Sequence, residues 1–314
     1  MTIAASKPSQ PTPVRTTSTV AASPASPSTG TPWRAYVPLW LASAPAFMLF
    51  ATLVFVPLAM TLVLTFYRFD PSSGPIAAFQ FGNYVEVVGS PYYQTIFART
   101  FAIAFVTTVA CVAIGAPEAY VLSRMRDPWR SLFLLAILAP LLVSVVVRAF
   151  GWSMLLNTNG LVNQAFALFG LGPFKLEYTS FAIVIALVHV MLPFMVIPVW
   201  TALQRLDPQT EQAALSLMAT PWVTLYRIVL PQVMPGILSG SLMVFGLSAS
   251  AFAIPGLLGG RRLKMAATAV YDQFLGSLDW PLGATIALLL LAANLAVMLT
   301  YYRVLERRYA RSMG

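Results

Sequence analysis

Six long apolar stretches divide the chain: Val37–Phe66, Thr100–Leu122, Leu132–Leu156, Phe181–Leu203, Gly236–Leu258 and Leu282–Arg303. Each reaches or exceeds the ~20 residues that a helix needs to cross a bilayer. The runs are continuous rather than alternating, and a spanning helix satisfies every backbone N–H and C=O within itself. The pattern predicts an all-α polytopic membrane protein with six transmembrane helices. The first run is longer than one crossing and predicts a tilted or projecting helix. Pro45, Pro57, Pro193 and Pro198 fall inside runs and permit kinks.

Polar segments between the runs carry their own punctuation. Tyr67–Arg99 holds a turn-rich piece, Asp70–Pro75, and an aromatic one, Phe79–Tyr93. Arg124, Arg126, Asp127 and Arg130 make a short basic loop, and Asn157–Ser180 contains an amphipathic piece at Leu161–Leu171. The most structured segment is Asp207–Pro231, which reads DPQTEQAALSLMATPWVTLYRIVLP. Asp207 before Pro208 is a helix cap followed by the residue that loses least at the first helical position, and Thr220 before Pro221 repeats the device. Two short helices are predicted, Pro208–Leu217 and Pro221–Val229, with a turn at Met218–Ala219. A helical hairpin between two spans is suited to docking.

Composition agrees with the pattern: 58% of residues are hydrophobic, 9% are charged, and the mean hydropathy is +0.76. Soluble domains carry about a quarter charged residues. A single cysteine, Cys111, and a single histidine, His189, argue against a disulfide, a metal centre or a metal-dependent membrane enzyme. The net charge of +9 reads as topology rather than nucleic-acid binding. Of the 19 Lys and Arg residues, 12 fall on the side of the termini and the Asp207–Pro231 loop and 7 on the other. That asymmetry places both termini and the loop in the cytoplasm. Residues 1–35, rich in Pro, Ser and Thr, are expected to be a disordered cytoplasmic tail without a secretory apolar run. Residues 36–305 form the six-span domain with its loop at 204–231, and 306–314 a cytoplasmic C-terminal tail. The chain contains no phosphate-binding G-x-x-x-x-G-K-[ST] loop.

Charges inside apolar runs are costly unless paired or wet. Arg148, in VVVRAFGW with Trp152, could line a pathway, gate its outer end, or snorkel to the interface. Glu118 could pair with Arg124 or Arg126, or present charge to a cationic solute. His189, among apolar neighbours, is expected to be hydrogen bonded in packing rather than to transfer protons. Between the last two runs, Tyr271, Asp272, Asp279 and Trp280 combine aromatics with carboxylates that suit a polycation, while Arg261, Arg262 and Lys264 oppose one. An interfacial belt is the equal alternative.

Glu211, Ala213, Ala214, Leu217, Ala219, Ile228, Leu230 and Pro231 together resemble the E-A-A loop of binding-protein-dependent ABC importer permeases. NGLVN, LPFMVIPVWTAL, LPQVMPGILSGSLMVF, SAFAIPGLLGG and LDWPLGA follow in the order of spermidine/putrescine-type permeases, over about residues 40–305. The resemblance implies the type I importer permease fold in a bacterial inner membrane. It also implies a second related permease, two cytoplasmic ATPases that bind ATP and Mg, and a periplasmic solute-binding protein, with no cofactor in this chain. Coupling falls to Asp207, Glu211, Ala213, Ala214, Leu217, Met218, Ala219 and Pro231, and polyamines are the implied solute; phosphonate or opine-like solutes share the subfamily. Met218 departs from the family's Gly, and Glu118 from a commonly apolar position. An ion-coupled secondary transporter would need an acidic mid-span site or inverted repeats, and neither is evident.

Overall fold

The computed structural model describes the backbone of residues 37–260 and 262–312, and their side chains except those of 37–42, 208, 211, 215 and 304–312. The tail expected over 1–35, and Arg261, lie outside the described residues. Among the described residues, five helices are long and apolar enough to cross a membrane, or six if one bent pair is a single span. The chain divides into two units, one ending at Val56 and the other starting at Pro57. The first helix, α1 (Val37–Leu64), contributes to both; its described side chains, from Ser43 on, are largely exposed.

In the second unit a small antiparallel hairpin, β1 (Arg68–Asp70) and β2 (Gly74–Ile76), turns at the predicted place, with Asp70 accepting the Ser72 N–H at 2.8 Å. Helices α2 (Gly82–Gly89) and α3 (Pro91–Arg124) follow. The Phe66 ring stacks on Phe79 at 4.9 Å and meets Phe81 edge-on at 5.4 Å, so the aromatic piece packs on itself. Buried Asn83 donates to Thr65 O and Tyr67 O and ties the start of α2 to the end of α1.

The predicted third span is broken. Helix α4 (Trp129–Leu142) and α5 (Val145–Leu156) meet at a 97° bend, with α6 (Leu161–Leu168) beyond. Pro140 sits in the last turn of α4, and Val143 and Ser144 take extended backbone, so helical bonding cannot cross the junction. The Asp207–Pro231 segment contains α8 (Pro208–Ser216) and α9 (Pro221–Thr224). The second predicted short helix is not free-standing: α9 runs through a π-helical turn, Leu225–Val229, into α10 (Leu230–Ala249). Leu230 N–H bonds back five residues to Leu225 O, and Pro231, which has no N–H, follows that wider turn. The fifth span therefore starts well before Gly236 and ends at Ala249. Ala253–Leu258 is a separate short helix, α11, before α12 (Ala266–Tyr271). The last helix, α13 (Trp280–Ser312), continues through the expected tail, since no Gly or Pro interrupts YYRVLERRYARS.

The core lies where α3 and α10 flank α7 (Ser180–Gln204). Cys111, Ala119 and Leu122 from α3, Leu187, Met195 and Val199 from α7, and Val233 and Val244 from α10 are all buried. Lipid is as apolar as leucine, so close packing rather than water exclusion holds such helices together, and small residues permit it. Gly236 and Gly240 supply the close approach. A Cβ on Gly236 would lie 2.8 Å from Pro198 O, and one on Gly240 would lie 3.3 Å from the Met195 Cα. Gly151 has nothing within 4 Å of its own Cβ position. Gly236→Val is expected to cost about 1–3 kcal/mol, read as a lower melting temperature in detergent, whereas Gly151→Ala leaves that temperature within a degree or two.

Candidate functional site

The Asp207–Pro231 hairpin folds as its caps dictate. Asp207 Oδ1 accepts the Gln209 N–H at 2.9 Å, and Thr220 Oγ1 accepts the Val223 N–H at 3.4 Å. Helix α8 closes with Ala219 N–H bonded to Ala214 O at 3.1 Å and Met218 at φ +61°. This is the left-handed closure usually given to glycine. Methionine there carries about 1–2 kcal/mol of backbone strain. The Met218 side chain is 92% exposed and returns no packing within the chain. Leu217, Trp222 and Tyr226 are also exposed, giving a run of large apolar and aromatic side chains outside the core. The resemblance assigned both alanines to coupling, but the structure separates them. Ala213 faces outward and Ala214 is buried against the chain itself. The Glu211 side chain lies outside the described ones. Behind α8, a cavity of about 220 Å³ is lined by Ser123, Arg124, Trp200, Gln204, Asp207 and Gln232.

Glu118 does not form the pairing weighed for it. Its Oε2 is buried and makes no hydrogen bond among the described residues, while Arg124 sits over the Tyr120 ring at 5.1 Å. Six residues along a helix turn a side chain about 240° away, so Arg124 leaves on another face.

Arg148 and Trp152, one turn apart on α5, reach the middle of α7. Trp152 Nε1–H donates to His189 Nδ1 at 3.3 Å, with the rings edge-on at 5.8 Å. His189 is hydrogen bonded as expected, but its side chain stands exposed on α7 instead of packed in the core. The Arg148 guanidinium is within electrostatic reach of that imidazole, and its Nε and Nη1 are buried without a hydrogen-bond partner among the described residues. Glu177 escaped the sequence reading. It accepts from Ser153 Oγ at 2.9 Å and Asn157 Nδ2 at 3.1 Å, pinning the end of α5 to the approach of α7. Its only signal was being the one acid between the third and fourth runs.

The aromatic and acidic residues between the last two spans do not converge. Tyr271 and Asp272 line a cavity of about 730 Å³ that also includes Val146, Phe252 and Lys264. Lys264 Nζ pairs with Asp272 at 2.6 Å, and Tyr271 packs on Phe252 at 4.9 Å. Asp279 instead caps α13, accepting the Leu282 N–H at 3.0 Å; burial pushes its carboxyl above the usual range and that bond partly opposes the shift. Trp280 Nε1–H is bonded to Phe274 O at 3.2 Å. The loop is tied to α3 by Ala266 N–H donating to Thr100 Oγ1 at 2.8 Å.

Met218→Gly is expected to raise the melting temperature of the purified protein, by an amount equivalent to about 1 kcal/mol, because the strained turn relaxes and no packing is lost. An unchanged or lower value would show that the left-handed turn is not occupied.

No family model matches the sequence. The chain is 30% identical over 252 residues to the spermidine/putrescine transport system permease protein PotB of Escherichia coli, covering 80% of this chain and 91% of that one. It is 28% identical over 261 residues to PotB of Haemophilus influenzae, covering 82% and 91%. It is also 27% identical over 239 residues to the sulfate transport system permease protein CysT of Escherichia coli, covering 75% and 84%. A crystal structure of a bacterial ABC transporter involved in import of the acidic polysaccharide alginate superposes with a TM-score of 0.74 at 17% identity, over 88% of this chain and 98% of that one. The shared fold, the membrane-length helices and the match across most of both sequences make this chain a member of the spermidine/putrescine type of ABC transporter permeases.

Proposed function

We propose that this chain is a pathway-forming permease subunit of a bacterial inner-membrane importer and that its solute is a polyamine, putrescine or spermidine. The observation that carries the solute class is the 30% identity to a spermidine/putrescine permease over 91% of that protein's length. The partners of this reading are a second related permease, two ATPases that hold ATP and Mg, and a periplasmic binding protein. The excess of Lys and Arg on one side supports cytoplasmic termini and a cytoplasmic hairpin. ATP chemistry belongs to the partners, and the hairpin receives their motion.

The exposed surface of Leu217, Met218, Trp222 and Tyr226 supports the docking role, since solvated apolar groups of this size mark a contact to be made. The unbroken path from α9 through the π turn into α10 offers a route for movement: displacement of α8 pulls directly on a helix packed along α7. Arg148, Trp152, Tyr271 and Asp272 remain pathway candidates in this reading, whereas Asp279 and Trp280 act in building the loop. A small anionic solute, phosphonate or opine-like, is the second reading. It is favoured by the unpartnered Arg148 and by the neutralisation of Asp272 by Lys264.

Uptake of labelled putrescine and spermidine should fall at least about tenfold when the gene is deleted, with other polyamine routes removed. It should fall similarly for Glu211→Ala and for Ala213→Trp, at unchanged protein level in the membrane. Normal uptake by both variants would remove the docking assignment. Unchanged uptake on deletion would remove the polyamine.

A further inference from the structure

We infer that α2 is an interfacial helix whose outer face is seated among phospholipids where α1 and α3 leave the bilayer. The inference goes beyond the importer reading and holds for any solute. At eight residues α2 is too short to cross a membrane, and it carries two distinct faces. Asn83 and Val87 are buried, whereas Phe81 at its N-cap, Val85 and Val88 are 59%, 71% and 60% exposed. With about 100° of turn per residue, the three exposed side chains fall within about 60° of one another, and the buried pair is on the other side. Phe79, also exposed, extends this face, its ring 5.5 Å from that of Phe81 and stacked on Phe66. One helix face thus presents a continuous patch of large apolar side chains, which marks a contact rather than a solvated surface.

The inner face fixes the level at which α2 sits. Val87 shares a buried cluster with Ile96 of α3 and with Leu282 and Ile286 of α13. Asn83 Nδ2–H donates to Thr65 O and Tyr67 O, and the hydroxyls of Tyr84 and Thr65 are 2.9 Å apart. The helix is therefore strapped across the ends of three spans, level with Phe66 and Tyr67. That level is the edge of the membrane. No residue between Arg34 and Arg68 is charged, so Arg68 is the first side chain of this stretch that demands water. Aromatic residues just before such a charge are the usual mark of the interface. Met60, Leu62 and Val63, exposed on the last turns of α1, carry its lipid-facing apolar surface up to the aromatic cluster. The occupant of the α2 face is then the medium already present at that depth. The boundary between acyl chains and headgroups accepts Phe79, Phe81, Val85 and Val88, while Glu86, exposed on the flank of α2, stays with the headgroups.

The test is the depth of that face in a bilayer. The full chain is given one added cysteine at a time, Val85→Cys, Val88→Cys or Ser73→Cys, labelled with a nitroxide and reconstituted in phosphatidylcholine vesicles. Cys111 is buried and stays unlabelled, and the three new positions are exposed, so the labels leave the packing intact. Electron paramagnetic resonance reads access to oxygen, which concentrates in lipid, and to a water-soluble nickel chelate. Labels at 85 and 88 should meet oxygen and exclude the chelate, at a depth of about 5–10 Å. The label at 73, in the turn between β1 and β2, should meet the chelate. Chelate access at 85 and 88 equal to that at 73 overturns the inference, because the face is then solvated. Exclusion of both probes at 85 and 88 also overturns it, because protein then covers the face.

Discussion

Close backbone contact between α7 and α10 is the constraint on which the other arrangements depend. In a bilayer the surrounding medium is no less apolar than the side chains, so burial alone provides little drive between helices. Gly236 and Gly240 let the Pro198, Val199 and Met195 backbone approach to distances that a Cβ would block. Gly115 of α3 does the same on the Met195 side chain. Once α7 is held on both sides, each end of the bundle inherits a geometry. Toward the hairpin, α10 begins in continuity with α9, so that end of the hairpin is fixed to the core. Further along α7, His189 is presented to Trp152 and sets the position of α5.

Electrostatics is distributed unevenly over this frame. Several carboxylates are already engaged within the chain. Asp272 neutralises Lys264, Asp279 caps α13, and Glu177 braces α5. Arg148 and Glu118, both within apolar helices, retain buried atoms without hydrogen-bond partners among the described residues. Two such groups on separate helices are costly to bury, and they distinguish these helices from the loop before α13, whose Lys264 and Asp272 are paired. The relatives named for spermidine/putrescine, sulfate and alginate share one scaffold while their named cargoes differ in charge. Fold alone therefore does not choose the cargo.

Helix boundaries show how far local rules reach. The Asp207 and Thr220 caps formed as their spacing required, since an N-cap bond is made within three residues. The turn at Met218 also fell where predicted, although the chain places methionine in a conformation suited to glycine. The bend after Pro140 was less accessible. Pro193 and Pro198 lie within a helix that stays continuous, so proline alone does not announce a break. The fusion of α9 with α10 was hidden for a related reason: Pro221, Pro231 and Pro235 punctuate that segment, and a π turn absorbs the missing donor only because both flanking helices are already aligned.

The sequence by itself determined the membrane class, the number and approximate extent of the apolar runs, the capped hairpin and the family. These depend on hydropathy and on bonds between near neighbours, which a linear reading contains. Tertiary structure alone decided that Ala213 faces outward while Ala214 is buried, that Trp152 meets His189, and that Thr100 of α3 receives the Ala266 N–H. Those outcomes depend on the direction each Cα–Cβ bond takes once distant segments are packed. No period or motif encodes that direction before α3, α7 and α10 have come together.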